Sequence, residues 1–241
     1  MNLKSTVHGW TLFFLGALIV PLAGFGERDA APTKHPENAR QTLARTAAYL
    51  WGKQSPDGSW RSETYGLLKS GQSFTPFVLF ALSEIPSGVA TPPDGPIERA
   101  MNFLRRMGNE EGVHGRTDPD VLDYPNYATA YALRCFLRYG KKDDKKRTEN
   151  MAEYLLGQQF SEVTGFNPDS PVYGGWGFGI NHRPTLSSFV DLSHTRRVLA
   201  ALAAANKVDA KTKGRAKCFL SLLQKNPKEK RSPLIHTTKP I

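Results

Sequence analysis

Two groups of side chains in this sequence have the residue types and spacing that acid or metal catalysis requires. The first is a turn-rich loop that carries Asp118, Asp120 and Asp123. A carboxylic acid that burial and neighbouring acids keep neutral can protonate an alkene. Asp120 and Asp123 are therefore candidate catalytic residues. The alternative, which the many turn residues favour, is a solvated loop with Asp123 near the start of a helix.

Asp191 and His194 form the second group. Their spacing of three residues places both side chains on one face of a helix, so they are candidate catalytic residues as well. Together with His182 they would make an improvised zinc site. The alternative is that Asp191 caps the helix and interacts favourably with its positive end. We predict no bound metal ion and no cofactor.

These residues lie between segments that repeat along the chain. The clearest copy runs from Arg45 to Trp60 and contains Tyr49-Leu50, Gln54 and Gly58. Helical spacing places the aromatic residue and the leucine on one face, and Gln54 comes where the helix ends. A Pro-Asp-Gly turn then directs Trp60 back towards that helix.

Three more copies follow, and they show that the segment is a structural repeat. Their aromatic-leucine pairs are Phe103-Leu104, Tyr154-Leu155 and Phe219-Leu220. The aromatic positions 49, 103, 154 and 219 are 54, 51 and 65 residues apart, a period that fits two helices and their loops. The second copy has Gly108 in the glutamine position. The third has a longer loop, with Gln159, Gly175 and Trp176 as its motif residues.

A second, more apolar helix follows each of the first three copies. These inner helices align on Thr75, Thr129 and Thr195, each with an apolar residue seven positions later. The predicted fold is therefore all-α. The predicted outer helices are 39–53, 97–107, 148–159 and 212–224, and the inner helices are 74–84, 126–139 and 192–205. Cys135 and Cys218 fall on apolar helix faces and are expected to be buried free thiols.

The repeated pattern of arginine, aromatic-leucine pair, glutamine, glycine and tryptophan resembles the QW motif of squalene and hopene cyclases. The segment Gly174-Gly175-Trp176-Gly177 with Asp191-Leu192-Ser193 resembles the repeat of protein prenyltransferase β subunits. The resemblance covers residues 39–224 and implies a partial α/α toroid of about three and a half repeats. It also implies a central apolar cavity for isoprenoid chains, and aromatic faces there would stabilise carbocations. The expected cavity-lining residues are Phe74, Phe77, Tyr124, Tyr127, Tyr131 and Trp176.

The sequence departs from both families at the residues that carry their chemistry. The third acid of the Asp-x-Asp-Asp motif of the cyclases is displaced here to Asp123. Ser193 stands where the prenyltransferases have a zinc-binding cysteine, and a neutral hydroxyl is a poor zinc ligand. The sequence therefore favours a non-catalytic binding or interaction module with an apolar concave face. The alternative is a divergent terpene cyclase or prenyltransferase that a partner chain completes.

The regions outside the repeats predict an exported protein. Residues 1–26 combine Lys4, an apolar run and small residues, which is typical of a cleaved signal peptide. Residues 27–38 are expected to be a linker and residues 225–241 a basic flexible tail. The net charge of +10 is spread through loops and tail, without a recognisable nucleic-acid module. Expected partners are an apolar or isoprenoid ligand, a second copy or other chain that completes the arc, and the membrane surface.

Overall fold

The described part of the chain is built from α-helices. The computed structural model describes residues 36–116, 123–179, 184–185, 189–224 and 228–231. Its α-helices are α1 Pro36–Gly52, α2 Phe74–Ser83, α3 Pro96–Met107, α4 Pro125–Tyr139, α5 Lys145–Gly157, α6 Leu192–Ala204 and α7 Ala210–Leu223. Within these ranges the only β-type pairing is an isolated bridge between Trp176 and Asp191. The prediction of an all-α protein is confirmed.

The seven helices lie where the sequence predicts them, with every end within three residues of its expected position. The largest differences are at the starts of α1 and α5. The first helix begins at Pro36, inside the segment expected to be a linker, and the fixed φ of proline suits the first turn of a helix. The expected leader, 1–26, lies outside the described residues, as does most of the expected tail. No helix in the described ranges is both long and apolar enough to cross a membrane.

The described residues from Arg40 onwards belong to the larger of two compact units. In the larger unit, α4 packs against α2 on one side and α6 on the other, while α3 and α5 pack against these inner helices. Fully buried side chains from both sets of helices make one core, among them Leu79, Leu104, Leu133, Leu155 and Leu202. The inner helices α2, α4 and α6 therefore lie side by side, and the candidate site lies among them.

The tryptophans of the repeats are fixed by the same two hydrogen bonds. Trp60 donates its indole N–H to the carbonyl of Leu50 at 2.7 Å, and its backbone N–H donates to Oγ1 of Thr75 at 3.0 Å. The same bonds, with the same lengths, join Trp176, Leu155 and Thr195. Each loop is thereby tied to the outer helix before it and the inner helix after it.

The motif glutamines connect each loop to the next outer helix. The Gln54 amide donates to the carbonyl of Gly58 at 3.1 Å and to that of Pro96, the first residue of α3, at 2.9 Å. The Gln159 amide donates in the same way, to Gly174 at 3.1 Å and to Thr212 of α7 at 3.2 Å.

The middle repeat replaces both residues. His114 takes the place of the tryptophan: its backbone N–H donates to Oγ1 of Thr129 at 3.0 Å, and its Nε2 lies 3.0 Å from the carbonyl of Leu104. Gly108 stands in the glutamine position, and a β-carbon there would lie 3.0 Å from the His114 ring. The absence of a side chain at Gly108 therefore leaves room for the imidazole ring of His114.

The glycine of the third repeat is Gly174 and not Gly175, which corrects the residue expected from the sequence. Gly58 and Gly174 both have a positive φ, of 92° and 88°. A β-carbon at either position would collide with a backbone carbonyl of the following outer helix, at Arg99 or Arg215. Gly175 is instead kept small by the side chains of Val190 and Phe219.

The two cysteines differ in their surroundings. Cys135 is buried in α4, and burial raises the pKa of its thiol. Cys218 is exposed, which corrects the expectation that both are buried. The reason is that α7 buries the face that carries Ala216, Phe219 and Leu222, and Cys218 lies off that face.

Candidate functional site

A cavity of about 410 Å³ lies where the N-terminal ends of α2, α4 and α6 meet. Phe74 and Phe77 come from the first turn of α2, Tyr124 and Tyr127 from the start of α4, and His194 from the first turn of α6. The remaining lining residues are Leu68, Ser73 and Phe178. The spacing of three residues in each aromatic pair places both rings on the same helix face, which explains why they converge here.

The aromatic rings of the cavity wall pack against one another across helices. The ring centroids of Phe77 and Tyr127 are 6.1 Å apart, and those of Tyr124 and Phe178 are 5.1 Å apart in an edge-on arrangement. Tyr124 has φ 47°, a left-handed conformation that is unfavourable for a bulky residue. Strain of this kind persists where the surroundings hold it, and it is concentrated at functional sites.

Four of the six residues expected to line the cavity do so: Phe74, Phe77, Tyr124 and Tyr127. Tyr131 lies one turn further along α4 and lines a neighbouring cavity. Trp176 does not line either cavity, because its side chain is fully buried in the core and its indole N–H is bonded to Leu155. The prediction for Trp176 is therefore wrong.

Asp191 and His194 form a hydrogen-bonded pair at the cavity. One carboxylate oxygen of Asp191 accepts the backbone N–H of His194 at 2.7 Å and caps α6. The other lies 2.7 Å from Nδ1 of the His194 ring. Burial alone would raise the pKa of the Asp191 carboxyl, but the side-chain and backbone hydrogen bonds from His194 hold it below its usual value. Capping and side-chain pairing thus occur together.

Asp123 is fully buried at the start of α4 and joins the starts of two inner helices. Its carboxylate accepts hydrogen bonds from the Ser70 hydroxyl and, at 3.3 Å, from the backbone N–H of Ser73, while the Ser73 hydroxyl donates to its carbonyl. Asp123 is therefore not a solvated residue. It is not among the residues that line the cavity. Asp120 and His182 lie outside the described residues.

A second, smaller cavity of about 190 Å³ lies further along α4 and α6 and is rich in arginine. Arg197 donates to the Tyr131 hydroxyl at 3.0 Å, and its guanidinium lies 5.0 Å from the Tyr127 ring centre. Arg134 stacks over Phe80, 3.9 Å from the ring centre. The sequence reasoning missed these arginines, although Arg134 and Arg197 each follow an inner-face residue by three positions.

Asp191 and His194 are the candidate metal ligands that the structure describes. The described part of the chain has no group of three or more His, Cys, Asp or Glu side chains that could hold a metal ion. Asp191 and His194 face each other through Nδ1 and a carboxylate oxygen, so two of their donor atoms are already used.

Comparison with known proteins adds no relative, since no family model, no curated protein and no solved structure matches this chain.

Proposed function

We propose that this protein is a non-catalytic helical-repeat module that binds an apolar ligand on a concave face formed by α2, α4 and α6. The observation that carries the proposal is the 410 Å³ cavity and its aromatic wall. Its size falls within the range of small-molecule sites, and such sites are mostly apolar with a few polar groups. Ser73 and His194 are the polar side chains among Leu68, Phe74, Phe77 and Phe178, and two tyrosines complete the lining.

The fold we propose is a partial α/α toroid of about three and a half repeats, related to the terpene cyclases and prenyltransferase β subunits. The recurrence of one bonding scheme at Trp60, His114 and Trp176 supports a true structural repeat. Helix α7 would be the outer helix of the fourth repeat. An isoprenoid chain is one apolar ligand that such an arc would accommodate.

The proposal includes the absence of catalysis. The surroundings of Asp123 and the residue type at position 193 support it. Asp123 accepts hydrogen bonds from two serine hydroxyls, and Ser193 stands where the prenyltransferases have a zinc-binding cysteine.

The second candidate is a divergent cyclase or prenyltransferase completed by another chain. The hydrogen-bonded Asp191–His194 pair at an apolar cavity favours it. Cyclisation of squalene, or zinc-dependent prenyl transfer, by the purified protein would decide for this second candidate.

We further propose that the protein is exported by the leader predicted at 1–26 and associates with a second copy or partner through its last repeat. Repeat units bury their apolar faces against neighbouring units, so an apolar face that stays exposed is a candidate contact surface. The exposed apolar side chain of Leu223 in α7 supports such a contact. Contact with a membrane surface fits the basic charge of the chain, whereas nucleic acid is not a proposed partner.

The proposal is tested by binding of 1,6-diphenylhexatriene, an apolar dye without hydrogen-bonding groups whose fluorescence rises in apolar surroundings. Phe77→Glu places a charge in the cavity wall and is expected to weaken dye binding more than tenfold, which is about 1.4 kcal/mol or more. Val163→Glu is the matched control, because Val163 is 79% exposed and lies outside the cavity. Equal binding by the two variants, or no binding by the natural protein, would contradict the proposal.

A further inference from the structure

The two nitrogens of the His194 ring differ in their contacts with the described residues. Nδ1 faces the carboxylate of Asp191 at 2.7 Å. A carboxylate only accepts hydrogen bonds, so in the neutral ring the hydrogen is held on Nδ1 and Nε2 carries the lone pair. Asp191 is fixed in turn by the cap of α6, because its other oxygen accepts the backbone N–H of His194. Of the two neutral tautomers, the carboxylate thus selects the one in which Nε2 is an acceptor.

Nε2 lies buried and has no hydrogen-bond partner among the described residues. Only 7% of His194 is exposed. Buried acceptors without a donor are rare and costly in folded proteins, and such an atom calls for a specific explanation. The rest of the ring is surrounded by the aromatic wall, with centroid distances of 4.8 Å to Phe178, 5.9 Å to Tyr127 and 6.2 Å to Tyr124.

We propose that His194 is the polar subsite of the cavity and that the ligand is an apolar alcohol whose hydroxyl donates to Nε2. This inference rests on the proposed function, since it assumes that the cavity takes an apolar molecule. The hydrocarbon part lies against Phe74, Phe77 and Phe178, and the hydroxyl end lies at the first turn of α6. Asp191 is a positioning residue here, because it acts through the imidazole and not on the ligand.

The test compares two probes of the same composition, of which only one has a hydrogen-bond donor: 1-decanol and its isomeric ether, 1-methoxynonane. Each is titrated against bound 1,6-diphenylhexatriene, and the dissociation constants are obtained from the loss of fluorescence. The natural protein is expected to bind the alcohol about three- to tenfold more tightly than the ether, the contribution of one neutral hydrogen bond. In His194→Phe, which keeps an aromatic ring and has no acceptor, this ratio is expected to fall to about one.

Two further variants keep the interpretation specific. Tyr49→Phe removes a hydroxyl from an exposed tyrosine outside the cavity and is expected to retain the preference for the alcohol. His194→Leu replaces the ring by a second side chain without an acceptor and serves where His194→Phe does not fold by circular dichroism. The ratio of the two probes is the readout, so a general change in cavity shape does not imitate the effect.

The possible outcomes separate this inference from the proposed function. If both probes displace the dye equally well from the natural protein, the donor subsite is wrong and apolar binding stands. If the preference for the alcohol survives in both His194 variants, another group recognises the hydroxyl and the inference is overturned. If the natural protein binds neither the dye nor the probes, the proposed function and the subsite both fail.

Discussion

Replacement of a tryptophan by His114 in the middle repeat makes the stability of this protein dependent on pH. The side chain is fully buried, and burial lowers the pKa of His114 from 6.5 to about 4. The carbonyls of Leu104 and Gly112 oppose this shift, and the nearby charge of Arg147 adds to it. In the unfolded chain the imidazole has its ordinary pKa.

The sign and size of the effect follow from these two values. Above pH 6.5 the ring is neutral in both states, and the full stability is present. As the pH falls from 6.5 to about 4, the unfolded state takes up a proton and the folded state does not. The free energy of unfolding therefore falls by about 1.4 kcal/mol per pH unit, or about 3 kcal/mol in all. That is a large part of the 5–15 kcal/mol that is typical of natural proteins.

The assay is urea unfolding at pH 7 and pH 4, followed by the fluorescence of the buried tryptophans Trp51, Trp60 and Trp176. His114→Gln keeps an N–H donor for the Leu104 carbonyl and does not titrate. Its stability is expected to fall less between the two pH values, by about 3 kcal/mol, than that of the natural protein. Contributions from the acidic residues are common to both proteins and cancel. An equal loss of stability in the two proteins would refute the reasoning.

Two other predictions concern packing and assembly. Gly174→Ala forces a β-carbon against the Arg215 carbonyl at a positive φ, and it is expected to lower the free energy of unfolding by about 3 kcal/mol or more in thermal or urea unfolding. Gly157→Ala is the control, because Gly157 lies at the end of α5 with open space around it. This change is expected to alter the stability by less than about 1 kcal/mol. Comparable losses for the two would contradict the packing argument. Light scattering is expected to show a dimer or larger species; a stable monomer whose residues 212–224 resist hydrogen exchange would exclude the proposed contact through the last repeat.

Much of the helical framework could be predicted because local signals and repetition agree. The aromatic-leucine pairs and the aligned threonines mark seven helices, and the structure places helices at all seven positions. Spacing of three residues also predicts that Phe74 and Phe77 share a face, as do Tyr124 and Tyr127, and all four line the cavity. Asp191 has the sequence context of a helix cap, and it is one.

The errors arise where tertiary contacts decide. We expected Trp176 to line the cavity. Its indole N–H instead donates to the carbonyl of Leu155, and the side chain lies in the core. His114 was missed because the motif is defined by a tryptophan at this position. The spacing marks the position all the same, since Leu104 precedes His114 by ten positions, as Leu50 precedes Trp60. Phe178 reaches the cavity from a loop, and no periodicity predicts a contact of that kind.

The side-chain amides of Gln54 and Gln159 have a consequence for how the chain unfolds. Each links a loop to the beginning of the next outer helix, α3 or α7, so it acts as a coupling between neighbouring repeats. The seam between α3 and α5 has Gly108 in that position, and the Arg105 guanidinium of α3 instead bonds to the carboxylate of Asp144, directly before α5, at 2.9 Å. In a repeat protein, cooperativity depends on such neighbour terms as well as on the stability of each unit. The seam after α3 is thus joined by an ion pair that weakens when acid protonates Asp144, whereas the amides of Gln54 and Gln159 do not titrate.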